Sequence, residues 1–358
     1  MVFLNHGSFG ACPRPVFDEY QRWQRELERQ PVEFLARRHD TLIEEAKGPL
    51  VAELGARPDD LVFVPNATAG MNVVARSLPL GPGDEVLVTT DEYGAVDFLW
   101  EHVCGQVGAT LVRRPVDPGP ALVDDLWAAV NPRTRAVSVS HISSATALRF
   151  PVEEICRRAR AAGVLAIVDG AHAPGQVDVD LDALGADFYS GNCHKWLCAP
   201  KGAGFLWARP EHQAMLAPLV LGWSEREETF AARHRWQGTH DPAAYLSVPA
   251  AIRFLAAHDW DDVRRRCHGL AVEAGRRLAA LGLVQVAPDG SWLGQMVAVE
   301  LPVGCDPDEL KRRLYDGHRV EVPVQSWHGR ALLRASFQGY NDEDDLDALV
   351  AALRAELL

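Results

Sequence analysis

The chain has 358 residues, 47% of them hydrophobic, with a formal net charge of -13. That is enough apolar material for a sizeable core in one large or two smaller domains, and the acidic balance argues against nucleic acid or an anionic membrane as main partner. No apolar run approaches a membrane span, the N-terminus lacks the pattern of a signal peptide, and seven cysteines without a CxxC pair argue against a disulfide framework or a zinc site. A reducing cytoplasm and no metal are the expectation.

Residues 4–12, LNHGSFGAC, are too polar and Gly-rich for a regular element; they form either a frayed terminus or an arm folded onto the body. The side chains of Asn5, His6 and Ser8 are unusually functional for a tail. From Arg14 to Leu54 the spacing is helical, with Phe17, Tyr20, Trp23 and Leu27 on one face, Pro31 as an interruption and a second helix from Glu33.

Strands and helices then alternate. Leu61–Val64, Glu85–Thr90, Thr110–Val112, Ala136–Ser140, Leu165–Val168 and Asp187–Ser190 read as strands. Helices are expected from Met71, over Gly94–Gln106, around Leu126 and over Val152–Ala162. Continuous apolar strands suit a sheet covered on both faces, and the alternation predicts a mostly parallel, doubly wound α/β domain. Its ligand binds beyond the carboxyl ends of the strands. After about Asp241 the pattern changes to helices (Ala243–His258, Asp261–Leu281), then strands at Met296–Val299 and Ala331–Arg334. A closing helix follows, with Asn341 as N-cap and Leu346, Leu349, Leu353 and Leu357 on one face. This predicts a smaller α+β domain.

The chemistry centres on Gly191–Trp207, GNCHKWLCAPKGAGFLW. Lys195 sits there among apolar residues, an environment that disfavours the ammonium and favours a nucleophilic, Schiff-base-forming amine. The plain alternative is a snorkelling surface lysine, and Lys201 is the rival. Asp169 ends the most apolar strand, at the ligand edge of the sheet; there it either partners a pyridine nitrogen or caps a turn. Residues 66–70, NATAG, lie at a strand-to-helix junction. Backbone N–H groups and the Thr68 hydroxyl can close on a phosphate there, or Thr68 is a plain N-cap. Neither a P-loop nor a dinucleotide fingerprint is present.

Lys195, Asp169 and this loop are joined by further motifs: LNHGSFG, TDEYGA, SHISSATALRFPV, VDGAHAPG, WQGTHD, VEVPVQSWHGR and LRASFQGYN. Together they span nearly the whole chain, which resembles the class V aminotransferase group of fold-type I pyridoxal phosphate enzymes. It is most similar to the isopenicillin N epimerase-like branch and more distantly to cysteine desulfurases. The resemblance implies a large domain with a mostly parallel seven-stranded sheet over residues 14–241, an N-terminal arm over 1–13 and a small domain over 242–358.

It also implies roles. Lys195 would carry pyridoxal 5'-phosphate and then move the Cα proton of an amino-acid substrate. Asp169 would bind the ring nitrogen, His172 and Ser144 would lie near the ring 3-oxygen, and Tyr93 would stack on the ring. Ala67, Thr68, Asn192 and His194 would hold the phosphate. Thr239 would reach the phosphate of a neighbouring subunit, implying a homodimer with shared sites. Arg334 would clamp the substrate carboxylate, and Asn5 and His6 would fold over the substrate. The stretch Val320–Arg334 contains no cysteine where desulfurases carry their persulfide-accepting one. Epimerisation or racemisation is therefore the expected reaction, with C–S β-elimination and transamination as alternatives. Tyr93 or His6 would supply the second acid.

Overall fold

The computed structural model describes residues 1–357, the side chain of Glu225 apart; Leu358, at the end of the expected small domain, lies outside the described residues. Thirteen strands form three sheets. In chain order they are β1 (Val2–Phe3), β2 (Leu61–Val64), β3 (Glu85–Thr89), β4 (Thr110–Arg114), β5 (Thr134–Ser140), β6 (Leu165–Gly170) and β7 (Phe188–Asn192). There follow β8 (Gly204–Ala208), β9 (Val284–Gln285), β10 (Met296–Glu300), β11 (Val320–Glu321), β12 (Val324–Trp327) and β13 (Arg330–Ser336). The large sheet has seven strands in the order β2-β8-β7-β6-β5-β3-β4. Only β8 runs against its neighbours; the pairs β3–β4, β3–β5, β5–β6 and β6–β7 are parallel.

Alternation along these strands explains why the sheet is buried twice. Val62, Val64, Val86, Val88 and Ile167 enter one apolar cluster, while Leu61, Phe63, Leu87, Ala166 and Val168 enter the other. Each Val, Leu, Ile or Phe side chain so enclosed stabilises the fold by about 1.5–3 kcal/mol. The first cluster is roofed by helices Ala67–Ser77 and Gly94–Val107, whose Trp100 is fully buried and donates from Nε1 to Ser138 Oγ at 3.0 Å. The second continues into the smaller antiparallel sheet β12-β13-β10-β9, so one core runs from the large sheet into the C-terminal part.

Four local expectations are corrected. The helix after β2 begins at Ala67, not Met71, because Asn66 caps it by accepting from Ala69 N–H at 2.9 Å. The second N-terminal helix is entered through a π-helical turn, Phe34–Arg38, before α-helix His39–Glu53. The expected helix Ala243–His258 is two, Ala243–Leu246 and Val248–Ala257, separated at Ser247 just before Pro249. Asn341 does not cap the last helix, Glu343–Leu357: Asp342 accepts from Asp345 N–H, while the Asn341 amide donates to Phe3 O and Asp345 Oδ2. Asn341 thereby ties down the N-terminal segment. That segment is an arm laid onto the body, with β1 pairing in parallel with β11. Among the described residues no helix is long and apolar enough to cross a membrane, and no group of His, Cys, Asp or Glu has metal-binding geometry.

Candidate active site

Five strand ends converge on one cavity of about 240 Å³. β2 delivers Asn66, Ala67 and Thr68; the turn after β3 delivers Tyr93; β5 delivers Ser140 and, beyond it, Ser144. β6 delivers Asp169 and His172, and β7 delivers Asn192, His194 and Lys195. This is the carboxyl edge of a doubly wound sheet, where side chains from non-adjacent segments meet.

Lys195 faces the cavity with Nζ 3.1 Å from His172 Nε2. Burial, with Arg334 adding like charge, brings its amine down to about 7, and the opposing pull of Asp169 is smaller. Lys201 is exposed, does not line the cavity and donates to Gly10 O at 2.9 Å. Trp196 Nε1–H donates to His172 Nδ1 at 3.3 Å, so the neutral ring carries its proton on Nε2, facing the lysine. Burial first, then Lys195, holds His172 well below the usual histidine range. Asp169 is buried; its Oδ1 accepts from Ala171 N–H at 2.9 Å, and burial raises its carboxyl against the pull of that bond and of Lys195.

The N-terminus of helix Ala67–Ser77 also lines the cavity. Asn192 Oδ1 accepts from Ala67 N–H at 2.8 Å, so this asparagine shapes the loop that was expected to bind phosphate. His194 contacts Ala203 O through Nδ1 at 3.0 Å. A carbonyl can only accept, so the neutral ring has a bare Nε2; burial lowers it to about 4.

Arg334, from β13, is 4% exposed. Its Nη1 donates to Ser144 O and Oγ and its Nη2 to Ser8 Oγ, while its Nε is buried with no partner. No carboxylate pairs with it among the described residues. Burial lowers the guanidinium to about 10. A buried cation with free hydrogen-bonding capacity is a receptor for a carboxylate.

The arm contributes differently from expectation. His6 is fully buried and packs on Trp196; its Nδ1 meets Tyr340 OH at 2.9 Å and its Nε2 meets Lys195 O at 3.0 Å. Burial holds it at about 4. It fastens the arm to the lysine's backbone and does not line the cavity. Asn5 also stays outside, donating to Glu321 Oε1 at 2.8 Å and accepting from Ser8 Oγ at 2.5 Å. The arm residues that line the cavity are Ser8 and Phe9. They belong to the same NHGSFG motif; which of its side chains face inward depends on the arm's short helical turn, His6–Phe9. Ser140 was likewise missed.

Tyr93 lines the cavity and is 45% exposed, so it is not a core aromatic. Thr239 is exposed and lies at another cavity, of about 640 Å³, lined also by Leu35, Trp223 and Trp236. The structure of one chain therefore brings every expected residue to the cavity wall except Thr239, Asn5, His6 and Arg334, and Arg334 is joined to that wall through Ser8 and Ser144.

Residues 11–349 match the family model described as aminotransferase class-V. The isopenicillin N epimerase of Amycolatopsis lactamdurans is 38% identical, covering 98% of this chain and 94% of that protein. A probable chloroplastic L-cysteine desulfhydrase of Arabidopsis thaliana is 29% identical over 98% of this chain and 82% of its own. Among solved structures, the cysteine desulfurase CsdA of Escherichia coli superposes with a TM-score of 0.86 at 26% identity, covering 100% of this chain and 95% of that one. The chain belongs to the class V aminotransferases, which are pyridoxal 5'-phosphate enzymes.

Proposed function

We propose that the protein epimerises or racemises the Cα centre of an amino-acid substrate, with Lys195 as the residue that moves the proton. The observation that carries this reading is Arg334: a buried guanidinium without a carboxylate partner among the described residues, beside an amine brought to about 7. An α-amino acid has both complements, a carboxylate for the one and a Cα proton for the other.

The residues present fit pyridoxal phosphate. The cavity lining offers the carboxyl of Asp169, the N-terminus of helix Ala67–Ser77 and the amine of Lys195. Once bound, the cofactor supplies an electron sink for the pair left at Cα when its proton departs. Lys195 would hold it, Asp169 would keep its ring nitrogen protonated, and Ala67, Thr68 and Asn192 would shape the phosphate cradle. His194 would donate to phosphate only as the imidazolium, a state that a neighbouring dianion favours. His172, neutral with its proton on Nε2, would orient the lysine and lie near the ring 3-oxygen. Tyr93, half-exposed on the cavity wall, would cover the ring. Because His6 is sealed behind Lys195, Tyr93 is left as the candidate second acid for inversion. We assign the working unit as a homodimer in which Thr239 serves the neighbouring site, since Thr239 is exposed and does not line the Lys195 cavity of its own chain.

A second reading, C–S β-elimination, is supported by the likeness to the desulfhydrase. Persulfide chemistry has less support: none of the seven cysteines lines the cavity. The deciding experiment incubates the holoenzyme with a panel of L-amino acids in D2O, following optical activity, deuterium at Cα, keto acid, ammonia and sulfide. Epimerisation requires loss of optical activity with deuterium incorporation and no keto acid. Stoichiometric pyruvate with sulfide or ammonia would overturn it in favour of elimination, and keto acid without either would mark transamination.

A further inference from the structure

Glu92 has no part in the chemistry above, yet it is buried against the cavity wall. It stands in the turn between β3 and helix Gly94–Val107. One carboxyl oxygen, Oε1, accepts from Thr89 Oγ at 2.6 Å, and Oε2 lies 2.8 Å from Ser140 Oγ. Ser140 closes β5, is in register with Asp169 on β6 and lines the cavity. Glu92 is thus one hydroxyl removed from the place assigned to the cofactor ring.

The charges around Glu92 are of one sign. The ionisable groups acting on it are Asp169, across Ser140, and Asp91, on its own turn; among the described residues no lysine, arginine or histidine pairs with it. A carboxylate there would be desolvated and would face two further acids. Burial first, and then those acids, raise Glu92 to about 8. An uncharged carboxyl has one O–H to give. The 2.8 Å contact with Ser140 Oγ serves equally with the proton on Glu92, and Ser140 is then free to turn its own proton into the cavity. Thr89 Oγ already accepts from Asp91 N–H at 3.2 Å, which leaves Ser140 as the less committed acceptor.

We propose that Glu92 is a positioning residue that works uncharged: it donates to Ser140 Oγ, directs the Ser140 hydroxyl proton toward the bound cofactor, and leaves Asp169 as the carboxylate at the ring nitrogen. The inference rests on the reading of this cavity as the pyridoxal phosphate site.

The test uses Glu92→Gln, Glu92→Ala and Ser140→Ala in the full chain. Glutamine reproduces an uncharged donor; alanine does not. On loading with pyridoxal phosphate at pH 7, Glu92→Gln should keep the wild-type absorbance maximum and a Kd within about twofold of wild type. Ser140→Ala and Glu92→Ala should both shift the band and weaken binding about fivefold or more, in line with loss of one hydrogen bond. Without cofactor, the melting temperature of Glu92→Gln relative to wild type should climb as pH rises from 4.5 to 8 and then level, because the wild type alone must keep a carboxyl protonated across that window. An increment that does not change with pH, a Glu92→Gln protein that loses cofactor as Glu92→Ala does, or a silent Ser140→Ala would each overturn the proposal. A wild-type protein that takes up no cofactor would instead overturn the site reading, while the melting series still reports on Glu92.

Discussion

At the scale of single residues, the site is a set of groups held away from their solution charge. Lys195, His172, His194 and Arg334 are all shifted toward their neutral forms by burial, and Asp169 and Glu92 are shifted the same way from the acidic side. Lys195 has a directly measurable consequence. With an amine at about 7, capture of an aldehyde by the cofactor-free protein should rise about tenfold per pH unit below 7 and level above it. Borohydride trapping followed by mass spectrometry checks this: Lys195→Ala should abolish the adduct and Lys201→Ala should leave it. An adduct that survives in Lys195→Ala would assign the chemistry to another lysine. The same shift acts on stability. The unfolded chain binds this proton up to the ordinary lysine value near 10.5, the folded one only to about 7, so this group makes the cofactor-free protein more stable as pH rises between those values.

At the scale of elements, the N-terminal arm is the least regular segment and the one most tightly tied to the site. Gly10 shows why. Its φ is +71°, and a Cβ there would lie 2.0 Å from His194 O and 2.9 Å from Lys195 Cα. Gly10→Ala should therefore cost about 1–3 kcal/mol in denaturant unfolding and weaken cofactor binding as well. Gly108→Ala, also at positive φ but meeting only Pro82 at 3.5 Å, should cost about 1 kcal/mol and leave cofactor binding alone. Equal effects of the two substitutions would show that the arm does not support the lysine. The NHGSFG motif was legible as functional because polar and glycine residues cluster without a period. Which of its side chains turn inward was not legible, since strand pairing with β11 and the contacts of His6 and Asn5 are long-range. The same limit misassigned the last helix cap: Asn341 and Asp342 are both good caps by type, and the demand of Phe3 O decides between them.

At the scale of the whole molecule, an apolar stretch over residues 219–223 lies exposed. Leu219, Val220 and Leu221 are exposed, and Trp223, 94% exposed, lines the cavity that also holds Thr239. An exposed apolar stretch of this kind is what the proposed homodimer would cover. With the homodimer proposed above, Trp223→Asp should move sedimentation from dimer toward monomer and weaken cofactor binding. Thr239→Ala should weaken cofactor binding without changing the sedimentation. A wild-type chain that sediments as a monomer with full cofactor affinity would exclude the shared site.

The alternation of apolar strands with helical segments determined the doubly wound sheet, because burial on both faces demands continuous apolar strands whatever their order. The residue types at the strand ends, Lys195, Asp169 and the turn around Thr68, pointed to the chemistry proposed above, because few side chains offer a captive amine, a buried acid and a turn able to cradle a phosphate. The tertiary structure alone decided which strands are neighbours, and hence that Ser140 lies beside Asp169. It also decided that Arg334 is left without a carboxylate among the described residues and that His6 is bonded to the Lys195 carbonyl. Those outcomes depend on how much water and how many partners each group loses on packing, and contacts between segments hundreds of residues apart settle both.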